Sequence, residues 1–300
     1  MNSAVTSLAA LLAAVIAAVF TAGLTACAST PPIDDVLADA GAVPTGRGPT
    51  RGELGEQAAG RLTTSTDGCR PLLDAARAEE ADYETLMTAS NALMLNADLR
   101  LQTALAFQFD PRDLPSPMEL IDGENDLSGA LKSEIRSLSK SSRELAERAL
   151  DLRPDDPGAR LLSAFGLSLV LWSLSPLQAA AHGGAGTLAK NTASLTADHP
   201  GFEAAAPLRL QGRFRSRAPW PYADRKLGVT SLESAVERAP VPLNLLFLGD
   251  AYWIVDRKDE AVEMWERATQ AETGDGPQDS APLVRESARL RILSARAAAP

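Results

Sequence analysis

"PLNLLFLGDAYWIVDRKDEAVEMWERATQAE", Pro242 to Glu272, is the stretch that decides how this chain folds. Two segments with helical apolar spacing, 242–255 and 258–271, flank the polar run Asp256–Asp259, which is the pattern of two helices joined by a short turn. Small and large residues stand in a fixed order along them. Leu248 and Gly249 are followed by Tyr252, then by Ala261, Trp265 and Ala268. Gly249 and Ala261 are placed where two antiparallel helices cross, and a longer side chain there would force them apart. Leu248, Tyr252 and Trp265 are large enough to fill the space between one helical pair and the next. Glu260 suits the first turn of the second helix, where unpaired N–H groups favour an anion.

This spacing resembles a tetratricopeptide (TPR) unit, whose repeat is about 34 residues. Where that family places a proline after its second helix, this chain has "AETGDG", and Gly274 and Gly276 end the helix instead. A second unit precedes it: Gly228, Leu232, Ala235 and Pro240 reproduce the second-helix spacing, and Gly212 is the small crossing residue of "APLRLQGRFRSR". A third trace runs through Ser142–Gly166, where Ala149 and Pro154 match the second helix. Elsewhere, as in "YETLMTASNALMLNADLRLQTALAF", the likeness is one of composition only. The resemblance implies an all-α fold of stacked antiparallel helical hairpins, a TPR-like α-solenoid or superhelix. Helices are expected near 70–79, 82–106, 116–122, 127–152, 157–174, 176–195, 201–217, 224–239, 242–255, 258–271 and 281–297. The apolar run Arg160–Pro176 is too short and too rich in serine to span a membrane, so it belongs at the centre of the helical stack.

The N-terminal end reads differently. The first 26 residues carry no charged side chain, and "LAALLAAVIAAVF", Leu8 to Phe20, has the length of a signal-peptide apolar core. "LTAC", Leu24 to Cys27, resembles a bacterial lipobox. That resemblance implies cleavage before Cys27, palmitate-type acylation of the cysteine, and a lipoprotein held at the membrane by its acyl chains. Ala28 rather than Asp follows Cys27, which favours the outer membrane, periplasmic face. The expected organisation is a lipoprotein signal peptide at 1–26, a flexible tether rich in Pro, Gly and Thr at 27–66 with room for a brief helix near "GELGEQAAGRL", and a helical domain at 67–300. Cys69 then has no partner for a disulfide and reads as a small packing residue.

Charge narrows the partners. The chain has 29 Lys and Arg against 39 Asp and Glu, a net charge of −10, which argues against nucleic acid. Against that balance, "GRFRSRAPWPYADRK", Gly212 to Lys226, gathers five cations around Trp220 and Tyr222. Its "APWPYAD" segment is longer than an ordinary hairpin turn. Arg213, Arg217, Trp220, Tyr222 and Arg225 are therefore the expected partner-binding residues. The order of tether, degenerate helical pairs, this segment and "NLLFLGDAYW" resembles periplasmic TPR lipoproteins related to the T component of TRAP transporters. That family implies association with a periplasmic solute-binding protein, sometimes as an oligomer with a pore.

The motifs of catalysis do not occur. His182 and His199 lack metal-ligand spacing, "HGGAGT" lacks the Lys and hydroxyl of a phosphate loop, and there is no G-x-S-x-G turn. The acid pairs Glu79–Glu80, Asp155–Asp156 and Asp259–Glu260 stand at turns or first turns of helices. The expectation is a protein that is not an enzyme and takes neither cofactor nor metal. Two functions remain: a membrane-tethered scaffold that binds a protein or peptide, or a helical carrier of a small or lipid-like anionic ligand.

Overall fold

Twelve α-helices and one short 3-10 turn account for nearly all of the residues described by a computed structural model of the chain, 52–272 and 280–298. In chain order they are α1 (Gly52–Ala76), α2 (Tyr83–Phe107), α3 (Pro117–Asp122), the 3-10 turn Gly123–Asp126, α4 (Gly129–Leu152), α5 (Pro157–Trp172) and α6 (Pro176–His182). Then follow α7 (Gly184–Asp198), α8 (Phe202–Arg217), α9 (Arg225–Arg238), α10 (Pro242–Ile254), α11 (Lys258–Gln270) and α12 (Ala281–Ala297). The signal peptide expected at 1–26, the lipidation site expected at Cys27 and the expected tether as far as residue 51 lie outside the described residues.

Local chemistry sets the starts of these helices. Asp82, Ser116, Ser128, Asp156, Ser175 and Asp224 each accept a backbone N–H with their side chains at an N-cap. Ser116 with Glu119, and Ser175 with Gln178, form reciprocal capping boxes. Pro117, Pro157, Pro176, Pro242 and Pro282 stand in first turns, where the missing N–H costs nothing.

Two expectations need correcting. The stretch 52–66, read as tether with no more than a brief helix near "GELGEQAAGRL", is the first part of the long helix α1. Its Ala58 and Leu62 are buried against Leu99, Ala106 and Leu283, and that packing outweighs the many small polar residues that suggested a linker. The single helix expected over 176–195 is two helices, because Gly183 adopts a left-handed conformation at φ 70°.

Helices next to one another in the chain pack as antiparallel hairpins, α2 on α4, α4 on α5, α8 on α9 and α10 on α11 among them. A side chain on Gly249 would fall 2.5 Å from the Trp265 ring and 3.0 Å from the Ala261 carbonyl. The small-against-small crossing read from the sequence is therefore present. Gly212 and Gly228 make the same close approach between α8 and α9. The α2–α4 crossing, which had no recognisable spacing, uses serines: Ser90 Oγ donates to the Ser142 carbonyl and Ser142 Oγ to the Ser90 carbonyl, each at 2.8 Å. Leu93, Ile135, Leu138, Leu232, Leu245 and Trp265 fill the interior, each contributing about 1.5–3 kcal/mol by leaving water.

The last helix returns to the first ones. Leu283 of α12 is buried among Ala58 and Leu62 of α1 and Leu99 of α2, and Ser280 Oγ donates to Asp98 Oδ2 of α2 at 2.9 Å. α12 also packs on α3. The solenoid thus closes on itself, and the inner helices α2, α5, α8, α10 and α12 look inward on a shared space.

Candidate functional site

That shared space is a cavity of about 1290 Å³, large for a small-molecule site. Met87 and Leu95 of α2, Leu161 and Phe165 of α5, Leu210 of α8 and Phe247 of α10 give it mainly apolar walls. Among its polar groups are Asp98 of α2, Glu124 of the 3-10 turn, Arg209, Arg213 and Arg217 of α8, and Ser280 before α12.

Arg209, Arg213 and Arg217 recur every four residues and so share one face of α8. Two of them are held in a buried chain of ion pairs. Arg217 reaches Asp122 and Glu124, both at 2.9 Å. Arg213 reaches Glu124 at 2.9 Å and Asp250 at 3.1 Å. Asp250, almost fully buried, also pairs with Arg291 of α12 at 2.7 Å and accepts the Trp265 indole N–H at 3.2 Å. Burial alone would raise the Glu124 carboxyl, but Arg213 and Arg217 outweigh it and hold the group below the ordinary glutamate value. This chain ties α3, α8, α10 and α12 together on one side of the cavity.

Arg209 is held differently. Its Nη1 donates to Asn244 Oδ1 at 2.9 Å and to the Ala204 carbonyl at 3.4 Å. Asn244, fully buried, is fixed in turn by donating Nδ2 to the carbonyls of Ala239 at 2.8 Å and Ala204 at 3.0 Å. The Ala204 carbonyl is presented by a left-handed turn at Glu203, Ala204 and Ala205, with φ of 47°, 53° and 60°. Non-glycine residues pay about 1–2 kcal/mol each for such a conformation, and strain of this kind gathers where structure serves a site. Burial pushes the Arg209 guanidinium down to about 10, against the pull of Asp98 and Glu203, so it stays charged at neutral pH. Asp98 accepts hydrogen bonds from Gln102 at 3.1 Å and Ser280 at 2.9 Å, and burial raises its carboxyl above the ordinary aspartate value.

The sequence-selected segment divides between inside and outside. Arg213 and Arg217 turn inward, with side chains only 18% and 15% exposed, because the carboxylates of α3, the 3-10 turn and α10 outcompete water for them. They are part of the frame, although the sequence selected them as partner-binding residues. Arg215 Nη1 donates to the Tyr222 carbonyl at 3.0 Å and closes the turn. Tyr222 is half-buried against Phe214, ring centroids 6.4 Å apart, with its hydroxyl toward Gly186. Trp220 points outward, 90% exposed, and Arg225 stands exposed where the turn meets the cavity mouth.

The repeat residues are assembled as their spacing required. Leu232, Leu248, Tyr252, Ala261, Trp265 and Ala268 share one core, and Ala235 is buried beside Ala205 and Leu208. Tyr252 also donates its hydroxyl to Glu233 at 2.8 Å. Arg209, Asn244, Glu124 and Asp250 went unnoticed in the sequence. Asp250 had a signal, as the lone charge in the apolar run 242–255, and Arg209 continued the four-residue spacing of Arg213 and Arg217. Cys69 is buried, and its thiol is pushed up to about 11, as fits packing rather than reaction. Among the described residues no helix is long and apolar enough to cross a membrane. Compared with known proteins, the chain matches no protein-family model and no curated protein.

Proposed function

We propose that this chain is a helical carrier that encloses a small or lipid-like anionic molecule in its central cavity. Closure of the solenoid is the observation that carries this reading. With α12 seated on α1 and α2, the inner helix faces look at one another across apolar walls. A scaffold that grips a protein along an open concave groove needs that face free, so closure favours the carrier. The reading also includes anchoring at Cys27, with the helical part held in the periplasm by acyl chains and joined to it by a tether shorter than the sequence suggested. Chain secreted with Cys27→Ser and purified without denaturation should carry a bound organic molecule visible as excess mass by native mass spectrometry. A clean mass of the bare polypeptide from every preparation would overturn the carrier reading.

One observation supports a second reading, protein docking of the kind the TRAP-related TPR lipoproteins suggest. Trp220 is 90% exposed on a turn braced from beneath by Arg215 and Tyr222, and a rigidly presented aromatic is a good anchor for a partner protein. Crosslinking from position 220 to a periplasmic solute-binding protein, lost on Trp220→Ala, is the result this second reading expects.

A further inference from the structure

We infer that Arg209 is the anion receptor of the cavity and that its ligand is an aliphatic monocarboxylate, gripped at the Nε–Nη2 edge with the alkyl body lying along the apolar walls. The inference rests on the carrier reading and adds the ligand's class and the residue that selects it.

Three observations lead there. Of the three arginines on the inner face of α8, Arg213 and Arg217 are already paired with carboxylates, whereas Arg209 forms no ion pair among the described residues. The two hydrogen bonds it does make both use Nη1. Nε and Nη2 remain, and they form the side of a guanidinium that takes a carboxylate through two parallel N–H bonds. Finally, Asn244 and the left-handed turn at 203–205 hold Nη1 in place, so the receptor edge is oriented before the ligand arrives and binding loses little side-chain freedom.

The surroundings select against other ligands. Asp98 and Glu203 are the carboxylates whose charge acts on Arg209, and neither is paired with it. Asp98 is instead occupied by Gln102 and Ser280. A dianion would gain only one receptor edge and would still meet Asp98, Glu124 and Asp122 around the wall. A single carboxylate matches the one arginine on the inner face of α8 that forms no ion pair among the described residues.

The test uses the secreted chain with Cys27→Ser and three probes: dodecanoate, dodecanol and acetate, titrated by calorimetry at neutral pH. The expected result is that dodecanoate binds at least tenfold more tightly than dodecanol, while acetate shows no binding. Arg209→Met should cut dodecanoate affinity at least tenfold and leave dodecanol unchanged. Arg209→Lys, which keeps the charge but not the two-bond edge, should fall between them and guards against a misfolded Met variant. Equal affinity of the unsubstituted chain for dodecanoate and dodecanol would overturn the assignment without any variant. So would undiminished dodecanoate binding by Arg209→Met. Failure of both amphiphiles to bind the unsubstituted chain would remove the carrier reading itself, a different outcome from loss of the carboxylate preference alone.

Discussion

Arg213 Nη1 lies 3.1 Å from Asp250 Oδ2, and this pair, buried between α8 and α10, joins the ion chain of the 3-10 turn to that of the last helix. Removing one member of a buried pair leaves the other charged and unsolvated, at a cost of about 3–5 kcal/mol. Asp250→Ala strands Arg291, leaves Arg213 with Glu124 alone and frees the Trp265 indole N–H, so it should lower stability by about that amount. Arg213→Met should cost less, because Asp250 keeps Arg291 and Trp265. Urea midpoints of the two variants give the comparison, and equal losses would argue against Asp250 as the hub.

Close approach and open space predict opposite outcomes for two glycine-to-alanine changes. At Gly249 the added methyl meets the Trp265 ring and the Ala261 carbonyl, and overpacking of this kind costs about 1–3 kcal/mol. At Gly60, in the interior of α1, nothing lies within 4 Å, so alanine should stabilise by about 0.5–1 kcal/mol through the helix preference alone. Thermal unfolding of the two variants should move in opposite directions.

Acid stability carries two signs. The folded Glu124 carboxyl lies below the ordinary glutamate value of 4.5, so it contributes stability above that value and loses it as pH falls through the folded value. Asp98 lies above 3.8 when folded, so its charge opposes folding at neutral pH and that penalty disappears as pH falls through its raised value. Glu124→Gln should flatten the acid limb of the stability profile below about pH 4.5. Asp98→Asn, which keeps an acceptor for Ser280, should stabilise at neutral pH and change little in strong acid. Denaturant titrations at several pH values separate the two.

The outer turn divides between an exposed and a supporting aromatic. Trp220→Ala removes a side chain that faces solvent and should change stability by no more than about 0.5 kcal/mol. Tyr222→Ala removes the contact with Phe214 and Gly186 and should cost ~1–2 kcal/mol, less than the 3–5 kcal/mol of a fully buried aromatic. Similar losses from both would mean that the turn is not braced through Tyr222.

What was legible in the sequence was local or periodic. Gly249, Ala261 and Trp265 show their packing because helical crossing imposes spacing within one hairpin. The turn at Asp155–Asp156 before Pro157 shows because it is written in adjacent residues. The frame of the cavity was not legible. It depends on Leu283 meeting Leu62 and Leu99, and on Glu124 meeting Arg213, contacts between residues far apart in the chain that no periodicity encodes. The basic cluster misled for the same reason, since the carboxylates that neutralise Arg213 and Arg217 come from distant segments. α1 was shortened because small polar residues suggest a linker until tertiary burial of Ala58 and Leu62 is seen.

The most direct test of the central claim is to fill the cavity without disturbing its frame. Asn91 lines the cavity from α2, stands exposed to it and makes no hydrogen bond among the described residues. Asn91→Trp in the Cys27→Ser chain should leave the melting temperature unchanged and weaken dodecanoate binding, measured by calorimetry, at least tenfold, about 1.4 kcal/mol. Dodecanoate bound equally well by a correctly folded Asn91→Trp chain would contradict the account, because the ligand would then lie somewhere other than this cavity.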